Sequence, residues 1–184
     1  MRIISGNFKG KKILEPKDVY TRPLKDLTKE SIFNILNHSN KFKVKIEGSV
    51  ILDLFSGVGS FGIECLSRDV DKVYFVENYK NVLPILKKNL SGLKSINNFE
   101  IIEKDIYNED IFKNFNQIFD IIFLDPPYKD KNIEKTLVKI KTSNILKNNG
   151  VLILHRHKKE KENFADEINI IEEKIYGISK IIFF

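Results

Sequence analysis

Val50-Ile-Leu-Asp53-Leu-Phe55-Ser-Gly57-Val-Gly59-Ser-Phe-Gly62 decides the fold. The apolar run Val50–Phe55 is broken only by Asp53, and it reads as a strand buried on both faces. Glycines follow at once in G-x-G-x-x-G spacing and open a helix from about Gly59 to Arg68. Without a Cβ the backbone can approach a ligand closely. The helix start adds exposed N–H groups that favour negative charge. Twenty residues after Gly57, Glu77 ends the next apolar run, where a carboxylate can hold both hydroxyls of a ribose. The bland alternative is a tight turn beside a charged strand end. The joint pattern points to a cofactor built on adenosine.

Outward from this unit the alternation continues. Strands are predicted at Lys72–Glu77, Phe99–Glu103, Ile118–Leu124 and Val151–Leu154. Helices are predicted at Lys80–Leu90, with Pro84 tolerable in the first turns, briefly near Ile111, and at Ile133–Leu146. Asn148-Asn149-Gly150 reads as the stop of that last helix. The tail from Ile168 to Phe184 gives two strands around Gly177 with no helix between them. A hairpin there inserts an antiparallel strand into an otherwise parallel sheet. The expected fold is α/β: a doubly wound, mostly parallel, seven-stranded Rossmann-like sheet with an antiparallel C-terminal hairpin.

Upstream the chain differs. Residues 2–14 read as a hairpin-like arm around Gly6-Asn-Phe-Lys-Gly10. Tyr20-Thr-Arg22-Pro23 is extended, because Arg22 precedes a proline. A helix follows from Leu24 to about His38, with Thr28, Ile32, Ile35 and Leu36 on one side and Lys25 and Lys29 on another. Residues 1–48 carry 11 Lys+Arg against 5 Asp+Glu, a net of +6, whereas residues 49–184 carry 20 of each. Codon bias would spread a lysine excess evenly. Its concentration marks a polyanion-binding arm, residues 1–48, on a catalytic domain, residues 49–184.

Composition narrows the class. The 184 residues are 42% hydrophobic and 30% charged, as in a soluble globular protein. The Met1-Arg2-Ile3-Ile4 start carries no signal-peptide pattern, and no apolar run suffices for a membrane span. A single cysteine, Cys65, excludes an internal disulfide framework and fits the cytoplasm, where it reads as a small apolar helix residue. The three histidines, His38, His155 and His157, form no metal-ligand set. No heptad pattern calls for an obligate oligomer, so a monomer is expected.

The chemistry sits in Asp125-Pro126-Pro127-Tyr128, at the end of the strand Ile118–Leu124. Two prolines fix φ and remove two backbone donors, which leaves carbonyls free to accept. An acid, a free carbonyl and an aromatic ring at a strand end can grip a planar group bearing an NH2. Two details favour S-adenosylmethionine over a dinucleotide. Asp53 would repel a pyrophosphate but suits the ammonium of a methionine moiety. Asp105, at another strand end, can reach the adenine amine. Asp53 as a turn-former and Asp105 as a cap are the structural alternatives.

The D-x-F-x-G-x-G loop and the D-P-P-Y tetrad, in that order, resemble class I S-adenosylmethionine-dependent methyltransferases that act on amino groups. The arm segments Arg2-Ile-Ile-Ser-Gly6, Lys9-Gly-Lys-Lys12, Thr21-Arg-Pro23 and Lys29-Glu-Ser-Ile-Phe-Asn-Ile-Leu36 are similar to bacterial RsmD-type enzymes, as is the ending Tyr176–Phe184. Those are the 16S rRNA (guanine(966)-N(2))-methyltransferases. After Arg-Pro the family runs Thr-x-Asp-Arg-Val-Arg-Glu, where this chain has Leu24, Leu27 and Lys29 in place of the threonine and two arginines. Lysine lacks the bidentate fork of arginine.

The resemblance implies a small-subunit rRNA guanine as substrate, within an assembly particle, and no metal. Asp53, Phe55, Gly57, Gly59, Glu77, Asp105 and Asp125 are the expected cofactor residues. Asp125 and the Pro126 carbonyl would accept the two amine N–H bonds, Pro127 belongs to the same catalytic tetrad, and Tyr128 would stack on the base. Arg2, Lys9, Lys11, Lys12, Arg22 and Lys25 are the expected phosphate contacts. The nearest rival is an adenine-N6 methyltransferase acting on DNA or RNA, disfavoured by the lack of a separate target-recognition domain. A nicotinamide-dependent oxidoreductase leaves the tetrad unexplained, and a non-catalytic RNA-binding module leaves both motifs so.

Overall fold

The structure is a computed structural model that describes residues 1–16, 24–107, 111–127, 130–161, 164 and 168–184. The Tyr20–Pro23 extension with Arg22, and Tyr128 of the tetrad, lie outside the described residues. The elements run α1 (Asp26–His38), β1 (Val50–Leu54), α2 (Ser60–Ser67), β2 (Lys72–Val76), α3 (Leu83–Ser91) and β3 (Phe99–Ile102). A 3-10 turn at Phe112–Asn114 precedes β4 (Phe119–Leu124), α4 (Ile133–Thr142), β5 (Leu146–His157), β6 (Glu172–Tyr176) and β7 (Ser179–Phe183).

Among the described residues seven strands form one sheet in the order β3-β2-β1-β4-β5-β7-β6. Strands β1 to β5 pair in parallel, while β7 pairs antiparallel with both β5 and β6. The expected doubly wound sheet with an inserted antiparallel strand is therefore present. Every residue of β1 and of β7 is buried, as strands covered on both faces require. The order reverses between β1 and β4, and in such sheets the crevice at that switch point, at the carboxyl strand ends, receives ligands.

Two apolar cores cover the faces. One joins Phe33 of α1, Phe61 of α2 and Phe123 of β4. Phe61 stacks on Phe123 at a centroid distance of 4.1 Å and on Phe33 at 5.4 Å. Each such pair contributes about 0.5–1.5 kcal/mol beyond its buried area. Ile3 and Ile13 of the N-terminal arm belong to this same core. The arm is a narrow turn closed by an antiparallel bridge between Arg2 and Lys12.

All eight residues of α2 are buried, which requires cover on its outer side as well. The arm provides it. The Asn7 N–H donates to the Ser67 carbonyl at 2.8 Å, and the Phe8 N–H to Ser67 Oγ at 2.9 Å. Glu64, at mid-helix, accepts from the Ile4 N–H at 2.7 Å and the Ser5 N–H at 2.9 Å.

Three expectations are corrected. Lys29, set with Lys25 on another side of the helix from Thr28 and Ile32, is fully buried while Lys25 is exposed: its Nζ lies 3.5 Å from Glu64 Oε2 and donates to the Arg2 carbonyl at 2.8 Å. Burial pulls its ammonium below the usual range, while Glu64 and Asp26 pull against that. Helix α4 ends at Thr142, four residues early, and Asn144 takes the left-handed turn at φ 52°. Asn148-Asn149-Gly150 is instead part of β5, where the register against β4 shifts between Phe119 and Ile121. A Cβ at Gly150 would lie 3.0 Å from the Asp120 carbonyl oxygen, so close strand approach accounts for the glycine.

Candidate active site

The switch point brings the glycine loop and the tetrad side by side. Leu54 and Leu124 are parallel partners, and the Asp125 N–H donates to the Leu54 carbonyl at 3.3 Å. Phe55, the next residue after β1, turns back at φ 57°. That conformation is uncommon for a bulky side chain.

Asp53 is buried, and its Oδ2 accepts from the Gly62 N–H at 2.9 Å. Gly59 flanks the start of α2 and has no side chain to bond an orphan N–H of the first turn, so a carboxylate from β1 does so instead. A Cβ at Gly62 would lie 2.3 Å from the Phe75 ring and 2.9 Å from Asp53 Oδ2, so only glycine fits. Burial pushes the Asp53 carboxyl well above the usual carboxylate range, the Gly62 N–H opposes this, and the charges of Asp125 and Glu77 push it further up.

Glu77 straps the loop from the other side. Its Oε2 accepts from the Gly57 N–H at 2.8 Å. Oε1 accepts from the N–H groups of Asn78 at 2.9 Å and Tyr79 at 2.8 Å. Oε2, with one bond, retains lone-pair capacity for a ribose hydroxyl, whereas Oε1 already accepts two. Asp105 is exposed at the end of β3, and its Oδ1 accepts from the Tyr107 N–H at 2.9 Å, as a local cap does.

Asp125 is half-buried, and its Oδ1 lies 2.7 Å from Nδ1 of His155. Pro126 is buried and Pro127 exposed. Arg156 holds the main chain beyond them: its guanidinium donates to the carbonyls of Pro127 and Asp130, each at 3.1 Å. Sequence reasoning misses both His155 and Arg156, because the apolar run predicts a strand that stops at Leu154. The available signal is the chain of three basic residues after that run, His155-Arg156-His157.

Asn89 of α3 is missed as well. Its Nδ2 donates to the Val58 carbonyl at 3.0 Å and the Leu14 carbonyl at 3.1 Å, and its Oδ1 accepts from the Leu14 N–H at 2.8 Å. One amide thus joins the glycine loop to the arm.

Three acids gather at this edge of the sheet. Asp53, Glu77 and Asp125 converge, and among the described residues His155 is the sole basic partner within ion-pair distance of the three. A cluster of acids disfavours a pyrophosphate and suits a cation. Among the described residues no group of three or more His, Cys, Asp or Glu could hold a metal ion. Arg2, Lys9, Lys11, Lys12 and Lys25 are all exposed on the arm and at the start of α1. Of these, Arg2 is 3.6 Å from Asp26, and Lys11 bonds the Gly92 carbonyl.

Comparison with known proteins agrees with this geometry. The family described as Conserved hypothetical protein 95 matches residues 1–184. Ribosomal RNA small subunit methyltransferase D from Haemophilus influenzae is 35% identical over 181 residues, which is 97% of this chain and 90% of that protein. The solved structure of Haemophilus influenzae HI0767 superposes with a TM-score of 0.74 at 34% identity, over 99% of this chain and 96% of that one. SMU.776, solved in complex with SAH, shares the fold at a TM-score of 0.65 and 16% identity, over 84% of this chain and 48% of that one. The strand order, the paired motifs and a match along the whole chain place it in the Conserved hypothetical protein 95 family, as an RsmD-type class I methyltransferase.

Proposed function

We propose that the protein transfers a methyl group from S-adenosylmethionine to the exocyclic N2 amine of a guanine in the 16S rRNA of the small ribosomal subunit, guanine 966 by family resemblance. The observation that carries this reading is Asp125, set beside the glycine loop at the switch point with Oδ1 bonded to His155.

S-adenosylmethionine supplies a methyl group on a positively charged sulfur. The chain supplies orientation. A guanine N2 lone pair is conjugated with the ring and is a poor nucleophile. Asp125 and the Pro126 carbonyl accept its two N–H bonds and aim the lone pair at the methyl carbon. With the cofactor bound, the N–C bond would form as the C–S bond breaks with sulfur keeping the pair, and the proton that the nitrogen then loses would pass to water. Acceptors strengthen as positive charge develops on that nitrogen, so they favour the transition state over the ground state. Tyr128 stacks on the base, which must be turned out of its helix to enter.

In this reading residues 1–48 form the rRNA-contacting arm and residues 49–184 the methyltransferase domain. The partner is a small-subunit assembly particle in the cytoplasm, met by a monomer. The test is mass spectrometry of rRNA nucleosides from cells with and without the gene, together with Asp125→Ala. Loss of one N2-methylguanosine supports the reading, and loss of an N6-methyladenosine replaces it with the adenine alternative. Asp125→Ala should keep cofactor binding by calorimetry and lose turnover by about 10²-fold or more, the scale of removing one transition-state hydrogen bond. Near-normal turnover would refute the role of Asp125.

A further inference from the structure

We infer that His155 is the positioning residue of the methyl transfer: it donates Nδ1–H to Asp125 Oδ1 and so presents Oδ2 alone to the reacting amine. The inference rests on the proposed function and adds a residue that the motif does not contain.

Strand pairing brings the two together. Leu124 of β4 and Leu154 of β5 are parallel partners, so the next residues, Asp125 and His155, are neighbours at the carboxyl edge. The Nδ1 to Oδ1 distance is 2.7 Å, short for N–H···O and normal for a charge-assisted bond. His155 is 5% exposed, and on its other side the backbone pairs with Ile181 of β7. The imidazole is therefore fixed by packing on the strand, not by solvent. With Asp125 ionised, its oxygens only accept, so Nδ1 carries the proton.

The consequence is geometric. The terminal torsion of an aspartate is broad and nearly two-fold, so an unrestrained carboxylate swings either oxygen toward a ligand. The imidazole occupies Oδ1 and removes that freedom. Arg156, the next residue, fixes the Pro127 and Asp130 carbonyls. Consecutive residues of β5 thus hold the side chain and the main chain of one loop, and misplacement of a reacting group by as little as ~1 Å costs rate steeply.

The test compares His155→Leu and His155→Asn in the full-length protein. It uses methyl-tritiated S-adenosylmethionine and small-subunit particles from a strain lacking the gene. The leucine variant should lose roughly 10-fold in kcat, the scale of one missing orienting hydrogen bond to a charged group, with KM for both substrates within about 2-fold. The asparagine variant keeps an N–H at the Nδ1 position and should recover to within about 3-fold of wild type. Wild-type kcat in the leucine variant, or no recovery in the asparagine variant, overturns the inference. Nitrogen-15 NMR of wild-type protein supplies a readout that requires no variant to fold: Nδ1 of His155 should carry the hydrogen of the bond to Asp125, and a bare Nδ1 overturns the inference. Failure of wild-type protein to methylate small-subunit particles would bring down the functional reading itself, a result distinct from an active leucine variant.

Discussion

Asp53 presents the sharpest conflict at the level of single residues. Its carboxylate caps α2 from a neighbouring strand, yet it does so in a buried site with two other acids nearby. Its folded pKa is raised above the unfolded value near ~3.9, so the fold favours the neutral form. The stability that Asp53 contributes is fully present below that unfolded value and is lost as pH rises through the raised folded one. At neutral pH Asp53→Asn keeps the acceptor for the Gly62 N–H and removes the buried charge. We expect its cofactor-free melting temperature to rise by roughly 2–4 °C, the equivalent of about 1 kcal/mol in a chain of this size. The gain should shrink as pH is lowered toward ~4, the unfolded value. In the proposed reading, where Asp53 holds the ammonium of S-adenosylmethionine, affinity for it should fall by roughly 10-fold. A variant that melts below wild type at neutral pH would refute the buried-charge account.

Helix α2 and strand β5 show how single elements are held. Glu64 of α2 accepts from the Ile4 and Ser5 N–H groups and meets Lys29 at 3.5 Å and Arg68 at 2.9 Å. Glu64→Gln leaves Lys29 as a buried cation with no carboxylate from α2 beside it. Breaking a buried pair on one side costs about 3–5 kcal/mol, so urea unfolding should shift by that amount. Hydrogen exchange at the Ile4 and Ser5 amides should speed up before the strands open. Slow exchange at those amides in the variant would show that the arm is held by other interactions.

The glycine loop is legible in sequence because strand, turn and helix signals fall within a dozen residues. The tetrad is legible because two prolines act locally. Lys29, Asn89 and His155 are not, because each takes its meaning from a partner far along the chain. Asn148-Asn149-Gly150 of β5 misleads for a different reason. The residues that stop a helix are also those that permit a bulged strand, and only the Asp120 carbonyl opposite decides between them.

At the scale of the whole molecule, the net charge of +6 lies within the first 48 residues, and the arm that carries much of it is part of the core. Removing residues 1–20 would take away Ile3 and Ile13, which are 1% and 2% exposed, and would unfold more than it informs. Charge removal at the exposed Lys9, Lys12 and Lys25 is the sounder probe of rRNA binding. For every phosphate that is no longer neutralised, the slope of log affinity against log salt should shrink by about 0.7–0.9, with S-adenosylmethionine binding unchanged. An unaltered slope in the triple variant would remove these lysines from the interface.

Helix α2 starts at the glycine loop, and its far end and middle hold the arm through Ser67 and Glu64, while Asn89 ties Leu14 to Val58. Anyone who wishes to redirect the enzyme to another RNA meets this bracing first. The arm is not an exchangeable module: a chimera that borrows the first residues of a relative inherits their anchoring demands. It must import α1 and α2 with the arm, and with α2 the helix that opens from the glycine loop.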